Sequence, residues 1–327
     1  MPSVAIVFTG GTISMRHDPA AGGNVPVLSG ADLLATVPGL DQIAALVPID
    51  RGLTPASHFS FGDLFELWAT VRDALRDDEI AGVVVVQGTD TIEETAFFFD
   101  LLHDGPKPVV VTGAMRVAGD PEYDGPENLR DAVRCAVSPR LGGSGVVVVL
   151  AGTIEPADDV TKTHTSAFDT FRSLNFGSLG RVEGDEVRLT RRRGPRRHVT
   201  ATAAAERVRL VVATIGADGV ELDSLRGAGA DGFVVAATGS GNTSPLLLAA
   251  AERAMVDGLP VVLTTRCPAG AATAAYAFPG GGATWVRAGA MLSDHLGGPK
   301  ARVALALGLG AGLDRAGLAA LLADPRS

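Results

Sequence analysis

Continuous apolar runs, rather than alternating ones, set the hydrophobic pattern of this chain. Residues 4–8, 83–87, 108–112, 146–150, 209–214, 232–237 and 260–264 each read as short, mostly valine-rich strands. A strand that is apolar on both faces belongs in a sheet covered by helices on both sides. Between these runs, apolar residues at helical spacing predict helices over Phe61–Arg76, Thr91–His103, Glu127–Val137 and Pro245–Asp257. Thr91 with Glu94 has the spacing of a capping box. Pro126 and Pro245 stand where the first turn of a helix accepts proline. The recurring strand, glycine turn and helix predict an α/β fold with a mostly parallel sheet.

The pattern breaks after residue 180. Val182–Thr190, with Glu183-Gly184-Asp185 inside it, predicts a hairpin, and a polar arginine-rich stretch follows. The resulting expectation is two α/β domains. Residues 1–195 form the larger one, with a parallel or mixed sheet flanked by helices; 196–208 form a linker; 209–327 form a smaller α/β domain.

Composition narrows the function classes. A net charge of −9 over 327 residues argues against a nucleic-acid partner. The basic cluster from Arg188 to Arg197 is expected to be a solvated hairpin edge leading into the linker. Two cysteines, Cys135 and Cys267, are too few for a disulfide framework, and Cys135 falls on the core face of a helical pattern. No apolar run has the length of a membrane span, and no signal-type stretch precedes the strand at Val4. The expectation is a soluble, cytoplasmic protein without nucleic-acid or membrane partners.

Candidate chemistry lies in three turns. Val4–Phe8 runs into Thr9-Gly10-Gly11-Thr12, Val83–Val86 into Gln87-Gly88-Thr89-Asp90, and Lys162 sits in Asp159-Val160-Thr161-Lys162-Thr163. In open parallel sheets, ligands bind beyond the carboxyl ends of the strands. That rule puts Thr12, Thr89, Asp90 and the Gly113-Ala114-Met115-Arg116 turn on one edge. The glycine turn has neither dinucleotide nor P-loop spacing. Taken singly, Asp90 reads as a helix N-terminal residue, Lys162 as a surface lysine and Asp158-Asp159 as a solvated acidic pair. Taken together, two hydroxyls, a carboxylate and an amine are the parts of amide hydrolysis by a threonine nucleophile.

Thr9-Gly10-Gly11-Thr12-Ile13 and Gln87-Gly88-Thr89-Asp90-Thr91-Ile92-Glu93-Glu94-Thr95-Ala96 resemble the two signature motifs of the bacterial-type L-asparaginases. The resemblance extends through Pro108–Arg116, Asp124-Gly125-Pro126-Glu127-Asn128-Leu129, Asp159–Thr165, Asn175-Phe176-Gly177-Ser178-Leu179-Gly180 and Lys300-Ala301-Arg302-Val303. It implies hydrolysis of L-asparagine to L-aspartate and ammonia through an acyl-enzyme, without a metal or organic cofactor. By position it implies Thr12 as nucleophile and a second centre of Thr89, Lys162 and Asp90 that moves protons and positions water. A threonine hydroxyl needs such a base, and a lysine serves where its surroundings bring its pKa down. The Gly88–Thr89 backbone would stabilise the oxyanion. Ser57 would hold the substrate's α-carboxylate and Asp90 its α-ammonium, with His58 tuning substrate choice and Ala114 lining the site. Asn242 would reach a neighbouring subunit's site in a homodimer or homotetramer with sites at the interface.

Two features depart from the family pattern. The lid after Thr12, residues 14–24, has no tyrosine, and residues 273–278 have no glutamate to meet the substrate amine. Tyr276 is a candidate to fill either gap. The departures keep open a catalytically silent amino-acid sensor, and short motifs leave open an amidase for glutamine or a D-amide. A subunit of a tRNA-dependent amidotransferase fits the acidic charge and the length least well.

Overall fold

A computed structural model describes residues 1–326. The chain divides into two compact units, with the boundary between Arg193 and Gly194.

The first unit contains β1 (Ser3–Phe8), a hairpin of β2 (Met15–Asp18) and β3 (Gly23–Pro26), α1 (Gly30–Ala35), β4 (Ala45–Asp50) and α2 (Phe61–Leu75). These are followed by β5 (Ile80–Val86), α3 (Ile92–Leu102), β6 (Val109–Thr112), α4 (Gly125–Val137), β7 (Val146–Leu150) and β8 (Thr153–Pro156). A second small hairpin, β9 (Val160–Lys162) with β10 (Phe171–Ser173), precedes β11 (Gly180–Glu183) and β12 (Glu186–Leu189). The main sheet has the order β12-β11-β8-β7-β6-β5-β1-β4. Its β4-β1-β5-β6-β7 part is parallel and the rest antiparallel, so the sheet is mixed.

The valine runs of β5, β6 and β7 are fully buried because α2 and α3 cover one face and α4 the other. The strand β4 went unread in the sequence. As an edge strand it carries Pro48, and only Leu46 and Ile49 are half-buried while the other positions are exposed, so it shows no two-residue alternation. The Val182–Thr190 hairpin forms as expected, turning at Gly184 in the left-handed region.

Three expectations are corrected. Thr91 does stand at the N-terminus of α3, but its side chain makes no capping bond; its hydroxyl donates instead to Ala56 O, 3.0 Å away. The capping boxes are at Ser29/Asp32 and Ser60/Asp63, where aspartate does the work the motif assigns to glutamate. Hydrogen bonds from the serines hold both aspartates below the usual carboxylate range.

The second correction concerns the basic cluster. Arg188 is exposed beside Glu183 and Glu186, as a hairpin edge should be, but Arg193 is buried. Its guanidinium contacts Asp100 at 2.6 Å and Asp158 at 2.8 Å, and both carboxylates are buried. The field of those two carboxylates overrides the desolvation of Arg193 and keeps it charged. Third, neither Asp158 nor Asp159 is solvated; both are buried.

Cys135 is a core residue, and burial pushes its thiol far up.

The second unit begins with residues 194–207, which form no helix or strand. Arg197 and Val199 are nevertheless buried, and Ala205 N donates to Ala306 O at 2.9 Å. It continues through β13 (Val208–Val212), α5 (Val220–Gly227), β14 (Gly232–Ala237), α6 (Pro245–Val256), β15 (Val261–Thr265), α7 (Gly282–Ala288), β16 (Met291–Leu292), α8 (Gly298–Gly310) and α9 (Arg315–Leu322). The four strands form a parallel sheet in the order β13-β14-β15-β16. The helix α8 is buried nearly all round, which erases the amphipathic stripe that would have revealed it. Among the described residues, no helix is long and apolar enough to cross a membrane.

Candidate active site

The turn after β1 is tied to β5 before it reaches Thr12. Thr9 donates to Val86 O through its amide (3.0 Å) and its hydroxyl (3.2 Å). Gly10 and Gly11 follow with φ of +98° and +94°, a region that disfavours side chains. At Gly11 a Cβ would also lie 2.2 Å from Gly88 N. The two turns therefore meet backbone to backbone, and Thr12 and Thr89 lead off adjoining segments. The turn after β6 joins them: a Cβ on Gly113 would lie 2.5 Å from Gln87 O and 3.2 Å from Thr89 Cγ2. Three neighbouring parallel strands thus deliver their turns to one point at their carboxyl ends.

Thr12 opens a single 3₁₀ turn (Thr12–Ser14), which the Ser14 hydroxyl secures by donating to Gly11 O at 2.8 Å. Its side chain is half-buried. Thr89 is buried at the start of a second 3₁₀ turn (Thr89–Thr91). Lys162, at the end of β9, donates from Nζ to Thr89 Oγ1 at 2.9 Å and to Asp90 Oδ1 at 3.1 Å. Because the lysine donates to that hydroxyl oxygen, the Thr89 proton is left free to point at a substrate or a water. The lysine is largely enclosed, whereas the Asp90 carboxylate is 69% exposed and open to a charged ligand.

The β9–β10 hairpin that carries Lys162 is fixed on two sides. Thr161 donates to the Glu93 carboxylate on α3, and Asp159 accepts from Asn175 N, Asn175 Nδ2 and Phe176 N at 2.7–3.2 Å. Glu93 and Asp159 both lie within the motifs quoted above, which gave no sign of these supporting contacts. Asp124 and Asn128 likewise hold the Gly113–Arg116 turn. Asp124 accepts from Met115 N and Arg116 N, while Asn128 Nδ2 donates to Gly113 O.

The other expected positions fall as follows. Ser57 and His58 are exposed on a 3₁₀ turn (Ala56–His58), which the Thr91 hydroxyl bonds to the Thr89–Thr91 turn. Gly88 packs on Ala56 in the same contact. Ala114 is fully buried, backbone included, and lines no open surface. Gln87 points inward, donating to Thr95 Oγ1 at 3.2 Å. Asn242 and Tyr276 belong to the second unit. Asn242 joins Thr238 by backbone bonds, its buried Oδ1 having no hydrogen-bond partner among the described residues. Tyr276 is 48% exposed beside Phe278. A separate 720 Å³ cavity, lined by Arg130, Arg134 and Arg140 among others, includes none of Thr12, Thr89, Asp90 and Lys162.

Residues 3–194 match the family model "Asparaginase, N-terminal", and residues 207–322 match "Glutaminase/Asparaginase C-terminal domain". The chain belongs to the bacterial-type L-asparaginase family. It is 39% identical to a probable L-asparaginase of Deinococcus radiodurans, covering 96% of this chain and 95% of that one. It is 32% identical to an L-asparaginase of Bacillus licheniformis (93% and 94% covered) and 34% identical to L-asparaginase 2 of Escherichia coli (84% and 80% covered). The crystal structure of a probable cytoplasmic L-asparaginase from Campylobacter jejuni superposes with a TM-score of 0.88 at 27% identity, covering 98% of this chain and 99% of that one.

In this asparaginase-family chain the segment after Thr12 is a paired β2–β3 hairpin without a tyrosine. The tyrosine that does approach the Thr12 turn is Tyr123, whose hydroxyl donates to Ile13 O at 2.7 Å.

Proposed function

We propose that the protein hydrolyses the side-chain amide of L-asparagine with Thr12 as nucleophile. The observation that carries this reading is the bond from Lys162 to Thr89, on a turn packed directly against Gly11 beside Thr12. Simple binding of an amino acid has no use for an enclosed amine on a threonine hydroxyl; proton transfer does.

The Thr12 hydroxyl oxygen attacks the amide carbon, and its proton passes by way of the Thr89–Lys162 pair to the departing nitrogen, which leaves as ammonia. The C–N bond breaks and a threonine ester forms. Water then attacks the ester, giving its proton to the same pair; the carboxylic acid is released and Thr12 regains its hydrogen. N–H groups of the Gly88–Thr89 turn stabilise the oxyanion in both steps. Asp90 Oδ1 faces Lys162, which leaves its other oxygen for the substrate's α-ammonium. Ser57 takes the α-carboxylate, and His58 adjusts the fit at that end. We assign Asn242 and the exposed Tyr276 to a neighbouring subunit's site in a homodimer or homotetramer. A cytoplasmic setting is supported by the Campylobacter jejuni neighbour and by the free cysteines Cys135 and Cys267.

The test is ammonia release from L-asparagine, L-glutamine and D-asparagine by the wild type, Thr12→Ala and Lys162→Met. The reading predicts turnover of L-asparagine that is lost in both variants. One extra methylene shifts fit by only about 1–3 kcal/mol, so measurable glutamine turnover is compatible with it. Saturable binding of L-asparagine without ammonia would instead establish a sensor.

A further inference from the structure

Tyr123 lies in the segment between β6 and α4, far in sequence from the lid, yet its hydroxyl meets the residue that follows Thr12. The placement is built in. The ring crosses the first residue of α4 at Gly125, where a Cβ would lie 2.5 Å from Cε2, Cζ and the hydroxyl oxygen. The ring also packs against the core of the first unit. Burial and the adjacent Asp124 charge push the phenol far up, so it remains an O–H donor at any working pH.

Its bond is one of four that fix three consecutive carbonyls where the chain leaves the Thr12 turn. Tyr123 holds Ile13 O, Val27 N and Leu28 N hold Ser14 O, and Ala118 N holds Met15 O. The Tyr123 and Ala118 bonds come from the same segment, whose base Asp124 anchors through Met115 N and Arg116 N. The 115–124 segment therefore clamps the lid hinge from both ends, and the Tyr123 hydroxyl is the clamp nearest Thr12.

We propose that Tyr123 is a positioning residue for the hydrolysis: its O–H sets the Ile13 peptide plane, which aims the Thr12 hydroxyl and anchors the lid. The proposal rests on the reading of Thr12 as nucleophile. It needs no tyrosine within the lid, because the donor comes from the neighbouring segment instead.

The experiment compares full-length wild type, Tyr123→Phe and Thr12→Ala for kcat and KM on L-asparagine, with backbone hydrogen exchange over residues 13–28. Tyr123→Phe keeps the ring and removes only the donor. The expected result is kcat lower by about tenfold, KM within about twofold, and faster exchange at the hinge. Tyr123→Met, which also lacks the donor, gives the same kcat loss should the Phe variant fold poorly. Unchanged kcat in a folded variant, or a change confined to KM, overturns the proposal. Activity surviving in Thr12→Ala would instead defeat the nucleophile reading, so the two failures are told apart.

Discussion

Replacing Gly11 by alanine is the most informative structural perturbation of this site. The new methyl would sit 2.2 Å from Gly88 N, 2.4 Å from Gly88 Cα and 2.7 Å from Gln87 C. These are backbone atoms that cannot rotate away, so relief requires the two turns to part by about 1 Å, and that scale of misplacement costs about 10²-fold in rate. It corresponds to about 2.7 kcal/mol of lost transition-state stabilisation. The Gly11 φ of +94° with ψ of −176° lies in a region essentially reserved for glycine and adds about 1–3 kcal/mol against stability. Gly22→Ala is the control, since Gly22 has φ +68° with nothing within 4 Å; it carries a positive-φ cost without the collision. The assay is kcat for ammonia release at saturating L-asparagine, with thermal unfolding alongside. The reasoning predicts a fall of about 10²-fold for Gly11→Ala and little change for Gly22→Ala. A folded Gly11→Ala enzyme within about threefold of wild type would refute the claim that contact between these turns sets the distance between the two threonines.

Lys162→Met and Thr89→Val should each lower kcat by about 10²–10⁴-fold, and Lys162→Arg should not restore it, because a guanidinium keeps the charge without giving up a proton. Rescue by arginine would reduce the lysine to a fixed charge. Arg193→Ala leaves Asp100 and Asp158 facing each other in the core and should destabilise the protein by about 3–5 kcal/mol in urea unfolding; a loss under about 1 kcal/mol would contradict that assignment. The Asp131 carboxyl, buried and close to Glu127, is pushed up to about 6 from 3.8. Folding therefore favours its protonated form, so this contribution is present at low pH and is lost as pH rises from about 4 through 6, by roughly 1–3 kcal/mol. Asp131→Asn should remove that part of the pH slope in denaturation curves, and an unchanged slope would assign it to another group.

The elements most legible in the sequence were those whose burial leaves an unbroken apolar record. The valine runs of β5, β6 and β7 could be read directly because helices cover both faces. Edge strand β4 and the almost wholly buried helix α8 lack the period that separates inside from outside, and neither could be read. The capping box at Ser60 was hidden by its aspartate, while Thr91 matched the motif but had a different use for its hydroxyl. At the site, the glycine–threonine turns announced themselves because close backbone approach demands glycine. The supporting contacts of Glu93, Tyr123, Asp124 and Asp159 did not, since each depends on a partner at least eight residues away that no local pattern records. Arg193 shows the same limit. Within a run of arginines, only the tertiary structure singles out the one that is buried between two carboxylates.

The central claim is that Thr12 carries the acyl group. Acid-quenched peptide mass mapping after mixing enzyme with L-asparagine tests it most directly, applied to the wild type and to Thr12→Ala. The account predicts an aspartyl ester on the peptide containing Thr12 in the wild type, and none in Thr12→Ala. An ester on Thr89, or undiminished turnover by Thr12→Ala, would contradict it.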